Sequence, residues 1–431
     1  MEVFAVMTFP TIRRYAAGTD FISYPSGSRT APREDVVLTA ADGVQSAAAL
    51  YSEGNEKTVL CLMHPRADMT SHYAVPGLTT SGYAFFAQRG RSPGDDISAL
   101  TIHEWLLADV AAGMRWLRDR GFENIILLGN SGAASLFSLY QKQALTAPPG
   151  RLTDTAAGDP YDLNGQEMPV ADGFVYLGAH LGPGITMQGE LDPSVVDEND
   201  PTSCDPFLDM YNPDNGFREP PETSKYSAEF LTRYRAAQAA RAGRIDSLAW
   251  EMVKARRAAE AETRSNSFEQ LEYAERAAVW RHAGAWRLMQ VHRMSADPAA
   301  VDLSITPSDR TYGTLMGVRP DIANYTQMAT KTLTPEVWLS SWSARYSRAD
   351  LLANLDAVTV PTMVLSYTAD NAIPPQVGER VYEASPAADK ELSTVVGDHF
   401  GHPIASDSSA DPRAEVVAGM TKWLQSRYES A

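Results

Sequence analysis

The sequence has few cysteines and a deficit of positive charge. Only two of its 431 residues are cysteine, Cys61 and Cys204, which excludes a disulfide framework. Cysteine and histidine nowhere have the spacing of a zinc site, and we expect neither a metal nor a cofactor. Asp and Glu number 54 against 37 Lys and Arg, a net charge of −17. Such a chain repels phosphate backbones and anionic lipid surfaces, so nucleic acid and membranes are unexpected partners.

The sequence also lacks a long apolar run. It has no stretch of about 18 apolar residues, which predicts that the chain does not span a membrane. The segment from Met1 to Pro10 contains an acid, Glu2, and no basic residue, and Pro10 interrupts its apolar run, so it does not resemble a secretory signal. We therefore expect a cytoplasmic protein that acts on a small molecule, and leave open whether it forms a homo-oligomer.

One stretch of small and apolar residues organises the sequence. Residues 124–134 read NIILLGNSGAA, an apolar run of strand length that ends in small residues and continues into an Ala- and Leu-rich helical segment. A strand that stops at a serine and turns sharply into a helix presents a nucleophilic oxygen. The pattern Gly-x-Ser-x-Gly is met at Gly129 and Ser131, whereas alanine occupies position 133.

Apolar segments of strand length recur along the chain, with helical segments between them. An Asp-Gly turn predicts a hairpin over 35–51. Further strands are predicted at 57–63, 82–88, 125–128, 172–179, 360–367 and 392–396. The spacing Thr101-x-x-Glu104 predicts a capping box for a helix that ends at Gly121. The alternation predicts the α/β class, with a mostly parallel eight-stranded sheet and helices on both faces.

Residues 190–345 interrupt this alternation. They are rich in helix-forming residues and are too long for a plain loop in a compact domain. We therefore divide the chain into a first core segment at 1–189, an inserted α-helical lid at 190–345, and a second core segment at 346–431. The acidic stretch 192–200 lacks the glycine and the ligand spacing of a calcium loop, so we expect it to be a solvated hinge of the lid.

Residues able to carry nucleophilic catalysis follow three of the predicted strands. Ser131, Asp370 and His399 each come just after a strand, and ligands and reacting groups in parallel sheets gather at the carboxyl ends. A serine hydroxyl needs a base, and the base needs a group that orients it. His402 is the alternative base, and Asp398 is expected to be a solvated or supporting carboxylate.

These motifs resemble the α/β-hydrolase superfamily, in particular serine hydrolases with a large helical lid. The resemblance covers about 35–185 and 346–431 and includes the chain order Ser, Asp, His. It implies that Ser131 is the nucleophile, that His399 is the general base and acid, and that Asp370 orients the imidazole. The backbone N–H of Gly132 would be one oxyanion donor. The second would come from Arg66, because the family's His-Gly loop reads His-Pro-Arg here and proline has no N–H.

Four further residues are candidates for the substrate pocket. His64 and His180 each end a predicted strand and would either line the pocket or brace a loop. Trp338 and Trp342 lie in the predicted lid and would contact either the substrate or the lid core. A large lid with aromatic residues suggests a bulky, largely apolar substrate.

The resemblance implies cleavage of a carboxylic ester or lactone through an acyl-serine intermediate. A C–C bond hydrolase or an amidase would use the same triad. Haloalkane dehalogenation is disfavoured, because it would need a carboxylate where Ser131 stands. Outside enzymes, the alternative is a catalytically silent protein of this fold that binds a ligand.

Overall fold

Eight strands form one central sheet. The computed structural model describes residues 22–91, 101–315, 317–404 and 409–430, so Met1 to Pro10 lie outside the described residues. The sheet strands are β1 (Arg33–Thr39), β2 (Gln45–Tyr51), β3 (Thr58–His64), β4 (Ala84–Arg89), β5 (Asn124–Asn130), β6 (Gly173–Leu177), β9 (Thr362–Tyr367) and β10 (Lys390–Val395). A separate pair, β7 (Met289–Val291) and β8 (Lys331–Leu333), lies between β6 and β9 in the chain.

The strand order across the sheet is β1-β2-β4-β3-β5-β6-β9-β10. The pairs β1–β2 and β2–β4 are antiparallel and the other pairs are parallel. Residues 125–128 of β5 are fully buried, as expected for a strand that is covered on both faces. The predicted hairpin and the mostly parallel eight-stranded sheet of an α/β-hydrolase fold are confirmed.

Helices cover both faces of the sheet. The core helices are α1 (Val75–Thr80), α2 (His103–Asp119), α3 (Ala133–Leu145), α9 (Leu351–Asn354), α10 (Pro375–Ala384) and α11 (Pro412–Gln425). A Cβ built on Gly378 of α10 would meet Ser366 and Val364, whereas one on Gly419 of α11 would meet Met363 and Leu365. Successive side chains of β9 point to opposite faces, so α10 and α11 lie on opposite sides.

The predicted capping box at the start of α2 is wrong. The helix begins after Ile102, whose side chain makes no capping hydrogen bond. The carboxylate of Glu104 is instead fully buried and accepts hydrogen bonds from Ser340 Oγ at 2.7 Å and from Ala156 N–H at 3.1 Å. At the other end, Gly121 has φ +90°, the left-handed conformation that glycine adopts just beyond a helix.

The chain between β6 and α9 forms the inserted helical body. Its helices are α4 (Pro183–Glu190), α5 (Ala228–Thr263), α6 (Tyr273–Gly284), α7 (Pro320–Ala323), α8 (Pro335–Val337) and a π-helix at Trp338–Trp342. Two hydrophobic clusters separate from that of the sheet hold this body together. Met187 of α4 belongs to one of them, and the limits 190 and 345 stay a prediction. Within the described ranges, no helix combines the length and apolarity needed to cross a membrane.

The acidic stretch that opens this insertion is not a solvated hinge throughout. Asp192 is fully buried and lies 2.7 Å from Arg293 Nη2, while Glu198 lies 2.8 Å from Arg241 Nη2. Each carboxylate is paired with a guanidinium, as a charge removed from water requires. No group of three or more His, Cys, Asp or Glu among the described residues is arranged to hold a metal ion.

Candidate active site

Ser131 occupies a strained turn between β5 and α3. Its φ is +52°, a left-handed value that is uncommon for any residue except glycine. The turn is tight because a Cβ on Gly129 would lie 2.8 Å from Ala134 Cα and 3.1 Å from Tyr176 Cδ1. Glycine at position 129 therefore lets α3 fold back against β5. Backbone strain of this kind is characteristic of functional sites.

The structure brings Ser131, His399 and Asp370 into one line of contacts. His399 Nε2 lies 3.2 Å from Ser131 Oγ, and His399 Nδ1 lies 2.6 Å from Asp370 Oδ2. The other oxygen of Asp370 accepts hydrogen bonds from the N–H groups of Ala372 and Ile373, at 2.8 Å each. Asp370 is fully buried, so these bonds fix its carboxylate. An imidazole held in this way has a lone pair directed at the serine hydroxyl.

The surroundings of His399 favour a basic imidazole. Burial alone lowers its pKa, but the charge of Asp370 and the hydrogen bond to it act in the opposite direction. The net result is a His399 pKa above the ordinary 6.5. His399 is therefore suited to accept a proton from a hydroxyl near neutral pH.

The alternative histidine, His402, lies in a different set of contacts. Its Nδ1 is 3.2 Å from Asp398 Oδ2, and its Nε2 accepts a hydrogen bond from Arg413 Nη2 at 3.0 Å. Asp398 Oδ1 also accepts the N–H groups of Phe400 and His402. These contacts hold the loop that carries His399.

One of the two expected oxyanion donors is already engaged. Gly132 stands at the start of α3, where backbone N–H groups have no acceptor within the helix and the helix dipole is positive. The N–H of Arg66, however, donates to His64 Nδ1 at 3.1 Å, as does the N–H of Ala67 at 2.9 Å. The prediction that Arg66 supplies the second backbone donor is therefore wrong in this conformation.

His64 and His180 both face the nucleophile turn. A Cβ built on Gly132 would lie 3.0 Å from His64 Nε2 and 3.2 Å from His180 Nε2. Both side chains are buried. Burial, together with the positive charge of Arg66, holds the pKa of His64 well below 6.5 and lowers that of His180 to about 3. Both imidazoles are therefore neutral at physiological pH.

The two lid tryptophans have different surroundings. Trp338 is fully buried in the lid and donates from Nε1 to Asp246 Oδ1 at 2.7 Å, so it lies in the lid core, one of the two places predicted for it. Trp342 has the guanidinium of Arg66 over its ring at 4.2 Å and the ammonium of Lys331 at 4.3 Å. Sequence reasoning did not identify Lys331, because nothing in the lid sequence marks which lysine approaches the core.

Comparisons with known proteins find similarity in structure but none in sequence families or curated sequences. The chain matches no protein-family profile and no curated protein. It is similar to the esterase domain of a Rhodothermus marinus protein, with TM-score 0.42, 11% identity and coverage of 92% of this chain and 98% of that one. The α/β-hydrolase GrgF of Penicillium sp. sh18 gives TM-score 0.46 at 10% identity, covering 92% and 98%. DcsB, in a complex with its substrate analogue, gives TM-score 0.46 at 12% identity, covering 92% and 99%. At these scores the likenesses add nothing to the strand order and the contacts described above.

Proposed function

We propose that this protein is a serine hydrolase that cleaves a carboxylic ester or lactone through an acyl-serine intermediate. One observation carries the proposal: the contacts from Asp370 through His399 to Ser131, at 2.6 and 3.2 Å. Each of the three residues follows a separate strand. They contact one another in the order of a nucleophile, a base and an acid that orients the base. The same intact contacts count against a catalytically silent protein.

The first half of the reaction forms the acyl-enzyme. Ser131 Oγ attacks the carbonyl carbon while its proton passes to His399 Nε2. The electron pair of the carbonyl moves onto oxygen and is stabilised beside the N–H of Gly132. When the tetrahedral intermediate collapses, the bond to the alkoxy group breaks, and that group takes the proton from His399. Asp370 stabilises the imidazolium in between and holds the ring in place.

The second half releases the acid. Water attacks the acyl carbon of the ester on Ser131, and His399 Nε2 takes the water proton. Collapse of the second tetrahedral intermediate breaks the bond to Ser131 Oγ, which recovers its proton from His399. The net change is the addition of one water molecule across the ester bond.

We extend the proposal to a bulky substrate with a large apolar part. Trp342 of the π-helix stacks on Arg66, which follows β3 at the edge of the sheet where Ser131 lies. An aromatic lid residue therefore reaches the edge of the sheet that carries the nucleophile. Ligand pockets are lined mainly by apolar and aromatic side chains, so we expect a substrate whose affinity depends on apolar burial.

A pre-steady-state assay tests the proposal. With p-nitrophenyl butyrate, we expect a burst of p-nitrophenol that approaches one equivalent per enzyme, followed by slower turnover as the acyl-enzyme hydrolyses. The chain-length series from acetate to dodecanoate should show kcat/KM rising with acyl length, because the longer chains bury more apolar surface. Absence of any p-nitrophenol release along the whole series would overturn the proposal.

A further inference from the structure

Two imidazoles border the nucleophile turn, where one of the two expected backbone oxyanion donors is engaged elsewhere. The N–H groups of Arg66 and Ala67 both point at His64 Nδ1 and are not directed at the nucleophile turn. The same turn is bordered by the Nε2 atoms of His64 and His180, at 3.0 and 3.2 Å from the Cβ position of Gly132. Two ring nitrogens from the ends of two different strands thus converge on the residue after Ser131.

Hydrogen bonds on the far side of each ring set its tautomer. His64 Nδ1 accepts two backbone N–H groups, and His180 Nδ1 accepts the N–H of Gly182 at 3.1 Å. A neutral imidazole whose Nδ1 accepts a hydrogen bond carries its proton on Nε2. Both rings therefore present an Nε2–H donor towards Gly132. Neither Nε2–H reaches a hydrogen-bond acceptor among the residues that the structure describes.

The N–H of Gly182 braces the ring of His180 through Nδ1, and the local backbone fixes that N–H. Gly182 has φ +149°, and a Cβ there would lie 2.4 Å from the carbonyl oxygen of Ala349. A side chain cannot be accommodated at this position without a shift of the backbone. The N–H of Gly182 is therefore held in place, and the ring of His180 is held with it.

We infer that His64 and His180 complete the oxyanion hole, each donating from Nε2–H to the oxygen that becomes negative during acyl transfer. This inference rests on the proposed function. As the serine oxygen bonds to the carbonyl carbon, the π electron pair moves to the carbonyl oxygen, which then accepts hydrogen bonds from Gly132 N–H and from the two imidazoles. Neither imidazole gives up its proton, so only His399 transfers protons in the cycle.

The electrostatics of the two rings fit this role. Burial and the nearby charge of Arg66 keep both rings neutral. A neutral N–H donor placed before the reaction stabilises developing charge without the reorganisation that water would need. Loss of one oxyanion donor typically lowers kcat by about 100- to 1,000-fold.

If the two histidines only hold their loops in place, a matched pair of substitutions should give the opposite result to the one expected for oxyanion donors. Asparagine can place its amide oxygen near the position of Nδ1, which preserves the brace and removes the donor. Glutamine can place its amide N–H₂ near the position of Nε2, which preserves the donor and removes the brace. The pairs are His64→Asn with His64→Gln, and His180→Asn with His180→Gln. His282→Asn, on an exposed face of α6, is the control.

The experiment measures kcat and KM for p-nitrophenyl butyrate. We expect each Asn variant to lose about 100-fold in kcat with little change in KM, and each Gln variant to retain at least ten times the kcat of its Asn partner. An Asn variant as active as its Gln partner overturns the inference. Turnover by the wild type separates this result from failure of the proposed function, in which the wild type itself releases no p-nitrophenol.

A second measurement uses the wild-type chain and does not depend on the folding of variants. An aryl trifluoromethyl ketone forms a tetrahedral adduct with an active serine and places a negative oxygen in the oxyanion hole. With ¹⁵N-labelled histidine, we expect two Nε2–H resonances of neutral imidazoles to move downfield when the adduct forms. Formation of the adduct without movement of these resonances overturns the inference and leaves the proposed function standing.

Discussion

His399 Nδ1 and Asp370 Oδ2 lie 2.6 Å apart although 29 positions separate the two residues in the chain. They meet because β9 and β10 are neighbouring parallel strands and each residue lies in the segment that follows one of them. Two backbone N–H groups donate to the other oxygen of Asp370. They fix the orientation of the carboxylate. That pair sets the direction in which His399 Nε2 faces Ser131.

The pair predicts the acid limb of the pH profile. Burial lowers the pKa of His399, but Asp370, with a smaller contribution from Asp398, raises it above 6.5 overall. His399 acts as a base only when neutral, so kcat/KM for p-nitrophenyl butyrate should fall as the pH drops through this raised pKa. Titrating the rate between pH 5 and pH 9 measures the midpoint directly.

Removing the charge of Asp370 should shift that midpoint downwards. In Asp370→Asn, burial of His399 is retained and the main interaction that raises its pKa is gone. We expect kcat to fall by roughly 10,000-fold, as is typical when a triad loses the acid that sets the histidine tautomer. The residual activity should have its acid midpoint at a lower pH than the wild type. A midpoint that stays in place would show that another group controls the profile.

His399 and His402 should respond differently to the same substitution. His402 contacts Asp398 and Arg413 and holds the loop, whereas His399 contacts the nucleophile. We expect His399→Asn to lower kcat by roughly 10,000-fold or more, and His402→Asn to lower it by less than about tenfold. Steady-state assays on both variants measure the difference. Equal losses would contradict the assignment of the base.

Gly129→Ala should destabilise the nucleophile turn. The new methyl group would lie 2.8 Å from the backbone of α3, and neither element can yield without moving Ser131. Overpacking of this kind costs about 1–3 kcal/mol. Gly165→Ala, where a Cβ meets nothing within 4 Å, is the matched control. Denaturant unfolding of both variants tests the expectation, and equal stability of the two would contradict it.

Ser340→Ala should loosen the lid from the core. Ser340 Oγ donates to the buried carboxylate of Glu104 and accepts the N–H of His103 at 2.9 Å, so the π-helix is tied to the start of α2. A buried group left without its partner costs about 1–3 kcal/mol. Ser247→Ala, on an exposed position of α5, is the control. We expect a lower unfolding free energy in Ser340→Ala alone, measured by the same denaturant titration.

The sequence predicted those parts of the fold and site that depend on local patterns. The apolar run of β5 and the glycine before Ser131 indicate a strand that turns sharply into a helix. Asp370 and His399 could be selected because parallel strands bring their carboxyl ends to one edge. The chain order of the three residues then favoured His399 over His402. Whether this candidate triad performs catalysis stays a prediction.

The errors arise where a residue's partner is distant in the chain. Glu104 has the spacing of a capping box, but a serine more than 200 residues away binds its carboxylate. Arg66 was predicted to be an oxyanion donor because the proline after His64 has no N–H. In the structure, the N–H of Arg66 donates a hydrogen bond to the ring of His64. Trp338 and Trp342 are four positions apart, and no local pattern shows that only one of them approaches the core. Such contacts depend on tertiary packing, which periodicity does not encode.

Labelling of Ser131 tests the central claim most directly. A fluorophosphonate probe reacts with a serine only when a neighbouring base activates it. We predict that mass spectrometry of the digested protein finds one covalent adduct on the peptide that contains Ser131, and that Ser131→Ala takes up no probe and loses roughly a million-fold in kcat. An unlabelled wild-type protein, or a Ser131→Ala variant that retains full turnover, would contradict the account.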